Sequence, residues 1–86
     1  MAQDVIMPKL GLTMTEGLVA EWLVEDGATV KAGEPVFVVE TDKADLDVEA
    51  EADGVLVREV QAGETVPIET VVGWILQPGE TVPESD

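Results

Sequence analysis

The side chains that could do chemistry in this chain are few. Among its 86 residues there is no cysteine and no histidine, which excludes disulfides, a thiol nucleophile, a cysteine-based zinc site and the commonest general base. The single serine, Ser85, therefore has no histidine to activate its hydroxyl. Carboxylates and amines remain, in the form of 19 acidic and 4 basic side chains.

The carboxylates are densest in residues 45–53, where an acidic residue occupies every second position. An EF-hand calcium loop has glycine at its sixth position and glutamate at its twelfth. A loop beginning at Asp45 would place Ala50 and Leu56 there, and one beginning at Glu49 also fails at its twelfth position. We therefore predict a solvated acidic face and no metal site. Carboxylates alone could hydrolyse a glycoside, but a chain of 86 residues leaves little room for a sugar cleft.

One of the four basic residues stands apart from the others. Lys43 lies in the sequence Thr41-Asp42-Lys43-Ala44, between an apolar segment and the alternating acidic one. Asp42 and Lys43 would take the central positions of a tight hairpin turn, where aspartate is well tolerated. A lone lysine at an exposed tip is more often a solvated charge than a functional group, and spacing alone favours that interpretation. The same interpretation applies to the three remaining cations, Lys9, Lys31 and Arg58.

The elements that must position this lysine are predicted to be strands. Residues 36–39, 55–57 and 71–76 are rich in β-branched side chains, and glycines and prolines separate them at short intervals. No ten-residue window has the apolar stripe of a helix. Apolar residues alternate with acidic ones after Lys43, which predicts a half-buried strand from Leu46 to Gly54 with an acidic outer face.

An internal repeat defines the architecture. The matching segments are 16–19 with 53–56, 27–30 with 63–66, and 36–39 with 72–75. Two copies are too few for a solenoid, which needs at least three units. Two four-stranded halves would instead pack face to face. We therefore predict an all-β fold, a flattened β-barrel or sandwich of two four-stranded antiparallel sheets with quasi-twofold symmetry.

Length and charge limit the organisation and the partners. The chain is long enough for one domain, which we place at residues 1–78, with residues 79–86 as a flexible tail or the start of a linker. The formal net charge of −15 argues against nucleic acid and anionic membranes as partners. No apolar run is long enough to span a membrane. We expect the isolated domain to be a monomer, because its acidic surface opposes self-association.

The sequence also resembles a known family over nearly its whole length. Residues 7–17 (Met-Pro-Lys-Leu-Gly-Leu-Thr-Met-Thr-Glu-Gly) are similar to the opening of lipoyl domains from the acyltransferase (E2) components of 2-oxo acid dehydrogenase complexes. Glu40-Thr41-Asp42-Lys43-Ala44 resembles the lipoylation motif of that family and lies midway between the two halves of the repeat. Biotinyl domains share the fold, but methionines normally bracket their lysine. Here the brackets are Asp42 and Ala44, which favours lipoate.

The resemblance implies a carrier domain rather than an enzyme. Lys43 would hold lipoate in amide linkage, and the lipoyl group would pass acyl groups and electrons between a thiamine-dependent E1, the E2 catalytic core and a flavoprotein E3. Asp42 and Ala44 would be the flanks read by a lipoate ligase or lipoyl transferase, and Glu40 a further recognition residue. Two alternatives stay open: a biotinyl carrier domain of a carboxylase with biotin on Lys43, and an unmodified lipoyl-like structural or adaptor module.

The finer expectations depend on single features. Leu12-Thr13-Met14 resembles the pyruvate or acetoin types more than the 2-oxoglutarate type. Glu69 stands where the family often has glycine, and we expect the surface to tolerate it. A bacterial cytoplasm is favoured, with the mitochondrial matrix as the alternative, because the absence of cysteine fits a reducing compartment.

Overall fold

Strands and the turns between them make up the part of the chain that the computed structural model describes, residues 2–42 and 44–82. The strands are β1 (Gln3–Ile6), β2 (Glu16–Trp22), β3 (Thr29–Val30), β4 (Pro35–Glu40), β5 (Asp45–Glu49), β6 (Gly54–Arg58), β7 (Thr65–Pro67) and β8 (Val71–Leu76). Met1, Lys43 and residues 83–86, with Ser85 and the end of the predicted tail, lie outside the described residues. In the described part no helix is long and apolar enough to cross a membrane. The all-β prediction is confirmed.

The strands form two four-stranded antiparallel sheets. One sheet has the order β1-β8-β6-β3 and the other the order β5-β4-β2-β7. If each strand is replaced by the strand four places before or after it in the chain, one order becomes the other. Strand β2 therefore corresponds to β6, and β4 corresponds to β8. This exchange is the structural form of the internal repeat, and it confirms the predicted quasi-twofold arrangement.

The core draws on equivalent positions of the two copies. Val19 in β2 and Leu56 in β6 are both fully buried, as are Val39 in β4 and Ile75 in β8. Burying one such aliphatic side chain contributes about 1.5–3 kcal/mol. Among residues 2–42 and 44–82 no polar or charged residue is buried. The complete core is Val5, Met7, Val19, Val30, Val36, Phe37, Val39, Ala50, Leu56, Val66, Val72 and Ile75.

Strand β5 is shorter and more exposed than its alternating pattern predicts. It ends at Glu49 instead of continuing to Gly54, and Leu46 is 44% exposed whereas Ala50 is only 5% exposed. Because β5 is the edge strand of its sheet, it has a neighbour on one side only, and its first residues lie beside the 41–44 turn. The acidic outer face is correctly predicted, but Leu46 belongs to the surface and not to the core.

Three turns share one construction, which reads X-(Ala/Pro)-Gly-Glu in the sequence. In residues 31–34, 61–64 and 77–80 the last N–H donates to the first carbonyl, at 2.9, 3.2 and 3.0 Å. Their glycines have φ values of 88°, 97° and 84°, and each glutamate carboxylate accepts a hydrogen bond from the first N–H. The turn at 67–70 has the same backbone hydrogen bond but places Glu69 at the third position with φ 70°. Glu69 is exposed as expected, yet its backbone is strained.

Candidate functional site

The β4–β5 hairpin carries the residues that the sequence analysis singled out. Glu40, the last residue of β4, pairs with Asp45, the first residue of β5, and Val39 pairs with Leu46. The chain reverses in residues 41–44 between these pairs. The hairpin therefore presents its turn at the end of a rigid sheet, beyond the last strand pair.

Thr41 closes this turn with its backbone and its side chain. Its N–H donates to the carbonyl of Ala44 at 2.9 Å. Its hydroxyl Oγ1 donates to the same carbonyl at 3.0 Å and accepts a hydrogen bond from the N–H of Ala44 at 3.2 Å. These bonds hold the two ends of the turn, Thr41 and Ala44, together, and Asp42 lies between them. The predicted tight turn with Asp42 at a central position agrees with this geometry.

The sequence analysis did not assign a role to Thr41. A threonine at the first position of a turn is a recognisable signal, because its hydroxyl can replace a backbone group in local hydrogen bonding. The signal was available in the sequence, but it is also common in turns without any function.

The other predicted site residues lie together at the hairpin end. Glu40, Asp42 and Ala44 are all exposed, so another protein can reach them without displacing the core. Lys43 itself lies outside the described residues. The remaining cations, Lys9, Lys31 and Arg58, are exposed, and the Arg58 guanidinium lies 5.7 Å from the centre of the Trp22 ring.

A groove of about 900 Å³ opens beside the hairpin. One wall is the hairpin itself, and the other is the connection between β1 and β2. Three exposed leucines line it: Leu10 is 43% exposed, Leu12 96% and Leu46 44%. Carboxylates of Glu16, Glu40 and Asp42 also belong to its lining. Sequence analysis missed this groove, because an apolar residue in a loop cannot be distinguished from a core residue by type alone.

Two methionines anchor the loop wall of the groove. Met7 is fully buried, donates its N–H to Thr70 at 2.9 Å and accepts the N–H of Glu69 at 2.7 Å. At the other end of the loop Met14 packs against the core. A Cβ at Gly17 would lie 2.7 Å from the Met7 sulfur and 2.9 Å from the Met14 methyl carbon. Glycine at the start of β2 is therefore what allows both methionines to pack there.

The site combines an exposed turn with a groove lined by leucines and acidic residues. Over residues 2–42 and 44–82 no cluster of three acidic side chains is arranged to hold a metal ion. The hairpin turn is closed by Thr41, Asp42 is exposed, and the groove adjoins the turn. These features define a class of protein: a small β-domain that presents an exposed turn at the end of one of its two sheets.

Comparisons with known proteins identify the family within that class. Residues 3–75 match the Biotin_lipoyl family, described as "Biotin-requiring enzyme". The lipoyl domain of the 2-oxoglutarate dehydrogenase complex from Azotobacter vinelandii superimposes with a TM-score of 0.72 at 34% sequence identity, over 88% of this chain and 98% of that one. The chain belongs to the biotin/lipoyl attachment-domain family, and its fold is that of a lipoyl domain.

Longer proteins contain sequences similar to this chain. The acetyltransferase component of the acetoin cleaving system of Cupriavidus necator is 46% identical over 88% of this chain and 20% of its own length. The mitochondrial pyruvate dehydrogenase complex protein X component of Chaetomium thermophilum is 39% identical over 94% of this chain and 19% of its own. The chain thus spans about a fifth of these relatives. The resemblance stated from the sequence is confirmed: the domain is a carrier module and not itself an enzyme.

Proposed function

We propose that this chain is the swinging-arm lipoyl domain of a 2-oxo acid dehydrogenase complex, with lipoate in amide linkage to Lys43. The observation that supports the proposal is the turn closed by bonds between Thr41 and Ala44, because the lysine of the Glu-Thr-Asp-Lys-Ala motif lies between these two residues in the sequence. Asp42 and Ala44 at the flanking positions favour lipoate over biotin.

The residues present fit this prosthetic group. Bound lipoate supplies a dithiolane that accepts an acyl group together with two electrons, chemistry that no side chain of this Cys-free chain provides. The protein's part is to present one amine beyond the strand ends and to keep the turn in a single conformation. Asp42 and Ala44, the two neighbours of the lysine in the sequence, are exposed.

The partners follow from this role. A lipoate ligase or lipoyl transferase modifies the lysine, and Glu40, Asp42 and Ala44 are the residues we assign to its recognition. The modified domain visits a thiamine-dependent E1, the E2 catalytic core and a flavoprotein E3. Tethering to the same chain or complex raises the local concentration of the arm to the millimolar range for short linkers. The net charge of −15 favours docking to basic surfaces and keeps the isolated domain monomeric.

The substrate type and location are proposed from the relatives. Identity to the bacterial acetoin-system chain is 46%, compared with 34% to the 2-oxoglutarate-complex domain. We therefore favour a pyruvate or acetoin complex in a bacterial cytoplasm, with the mitochondrial matrix as the alternative because a relative from that compartment is 39% identical.

Intact-mass measurement after incubation with lipoate ligase, lipoate and ATP tests the attachment. The expected result is one added lipoyl group in the natural chain and in Lys31→Arg, and none in Lys43→Arg. Two displaced variants, Lys43→Ala with Asp42→Lys and Lys43→Ala with Ala44→Lys, should also stay unmodified, because the ligase would read the position at the turn. Lipoylation of Lys43→Arg would overturn the proposal. If only a biotin ligase modifies the natural chain, the biotinyl alternative is established. If neither ligase modifies it, the adaptor alternative is established.

A further inference from the structure

We propose that the groove beside the β4–β5 hairpin is a resting site for the lipoyl arm, formed by the exposed leucines Leu10, Leu12 and Leu46. This inference rests on the proposed function and adds to it a place where the arm binds its own domain between visits to partner enzymes. The position of the groove, its composition and its departure from the twofold symmetry each support it.

The groove begins where the arm is attached. Asp42 and Ala44, the two chain neighbours of residue 43, both line it, together with Leu12 and Leu46. A lysine side chain with its lipoyl group extends roughly 14 Å, as about a dozen bonds that each advance ~1.2 Å. An arm of that length, attached between Asp42 and Ala44, starts beside the residues that line the groove.

The leucines of the lining suit a neutral arm, whereas its acidic residues would attract a positively charged one. Leu12 is 96% exposed, so almost all of its side chain is available to an apolar ligand. Amide formation removes the ammonium charge of the lysine, and methylene groups and the ring can then contact the leucines without desolvating a charge. Each methylene group that becomes buried favours the bound arm about fourfold. An unmodified ammonium would instead be drawn to the carboxylates of Glu16 and Glu40.

The groove exists because one half of the repeat differs from the other. The connection from β5 to β6 is residues 50–53, whereas the equivalent connection from β1 to β2 is the longer segment 7–15. The additional residues include Leu10 and Leu12, and they form the wall opposite the hairpin. The longer connection therefore stands on the side of the domain that carries the lysine.

The absence of cysteine allows the groove to be tested apart from the ligase. The chain has no native thiol, so Lys43→Cys can be alkylated at a single position with N-octyl iodoacetamide to give a neutral arm of similar length. Methyl NMR spectra of this protein, and of the lipoylated natural chain, are compared with those of the unmodified proteins. We expect shifts of the Leu10, Leu12 and Leu46 methyl signals. The Leu23 signals should not move, because Leu23 is 44% exposed but does not line the groove.

A second measurement follows the reactivity of the arm. Reduction of the dithiolane by dithiothreitol should be at least about fourfold slower on the domain than in lipoamide itself, as burial of one methylene group predicts. Leu12→Ser should restore most of the rate, and the matched control Leu23→Ser should leave it slow. The resting site would be refuted if the dithiolane is reduced at the same rate on the domain as in lipoamide, and if neither the octyl arm nor the lipoyl arm shifts the methyl signals of the groove leucines.

The outcomes separate the two proposals. If the ligase lipoylates the chain but the methyl signals of the groove leucines do not shift, the proposed function is retained and the resting site is refuted. If the ligase leaves the chain unmodified but the octyl arm shifts the methyl signals of the groove leucines, the groove binds an apolar arm and the proposed function is refuted.

Discussion

Replacing Glu69 with glycine is expected to stabilise the domain. Among the described residues Glu69 is the non-glycine residue with a positive φ, 70°. The turns at 31–34, 61–64 and 77–80 place glycine at the corresponding position. Glu69 is exposed, so removing its side chain sacrifices no core packing. Its backbone hydrogen bond to Met7, 2.7 Å long, does not depend on the side chain.

The size of the effect follows from two opposing terms. A left-handed conformation costs a non-glycine residue about 1–2 kcal/mol. Glycine costs about 0.5–1 kcal/mol more than alanine in the chain entropy lost on folding. The expected net gain in unfolding free energy is therefore about 0.5–1 kcal/mol. For a domain of this size 1 kcal/mol shifts Tm by about 4–8 °C, so Tm should rise by about 2–8 °C.

Two control variants isolate the backbone contribution. Glu69→Gln removes the charge from a chain of net charge −15 but keeps the strain, so it should gain much less than Glu69→Gly. Gly63→Ala should lose about 1 kcal/mol, because Gly63 has φ 97° and a Cβ there would meet nothing within 4 Å. Thermal and urea unfolding followed by tryptophan fluorescence measure all three. A Tm of Glu69→Gly that is unchanged, or matched by Glu69→Gln, would refute the strain explanation.

Three further results are expected from single substitutions. Gly54→Ala should lower the free energy of unfolding, measured in urea, by several kcal/mol. The reason is that its Cβ would lie 2.6 Å from the carbonyl oxygen of Leu76, a backbone atom that the surrounding packing holds in place. A stable Gly54→Ala domain would contradict this packing. Gly17→Ala should cost less, since two of its three close contacts are flexible methionine side chains; the comparison fails if it is the worse variant. Thr41→Val removes the hydroxyl contacts with Ala44, so it should lower the free energy of unfolding by only about 1 kcal/mol. It should also slow lipoylation. An unchanged rate of lipoylation would show that the ligase does not depend on these hydroxyl contacts.

Periodicity and repetition made most of the fold predictable. The segments matched by the internal repeat fall on β2 with β6, β3 with β7, and β4 with β8, because equivalent sequences form equivalent strands. The turn at 41–44 was predictable for the same reason, since it separates two strands that the pattern already defined. These features depend on local chain preferences and on alternation, which a sequence displays directly.

The groove could not be predicted, because it depends on where chain segments end relative to one another. Leu46 alternates in phase with buried residues, yet an edge position beside the turn leaves it exposed. Leu10 and Leu12 are of a type common in cores, but they lie in a connection that packs against the core through Met7 and Met14. Exposure of an apolar side chain is a property of tertiary packing, and no local pattern records it.

The near-symmetry of the barrel shows which features are specific to one end. Both halves build the same strands and share much of the core, so fold stability explains what they have in common. It does not explain the differences: the hairpin turn closed by Thr41, the longer connection 7–15 and its exposed leucines all belong to one side. An exposed leucine such as Leu12 adds nothing to folding, since burial is what makes leucine stabilising. The resting site that we propose would give this position a physical reason, because Asp42 and Ala44, the neighbours of Lys43 in the sequence, line the same groove as Leu12.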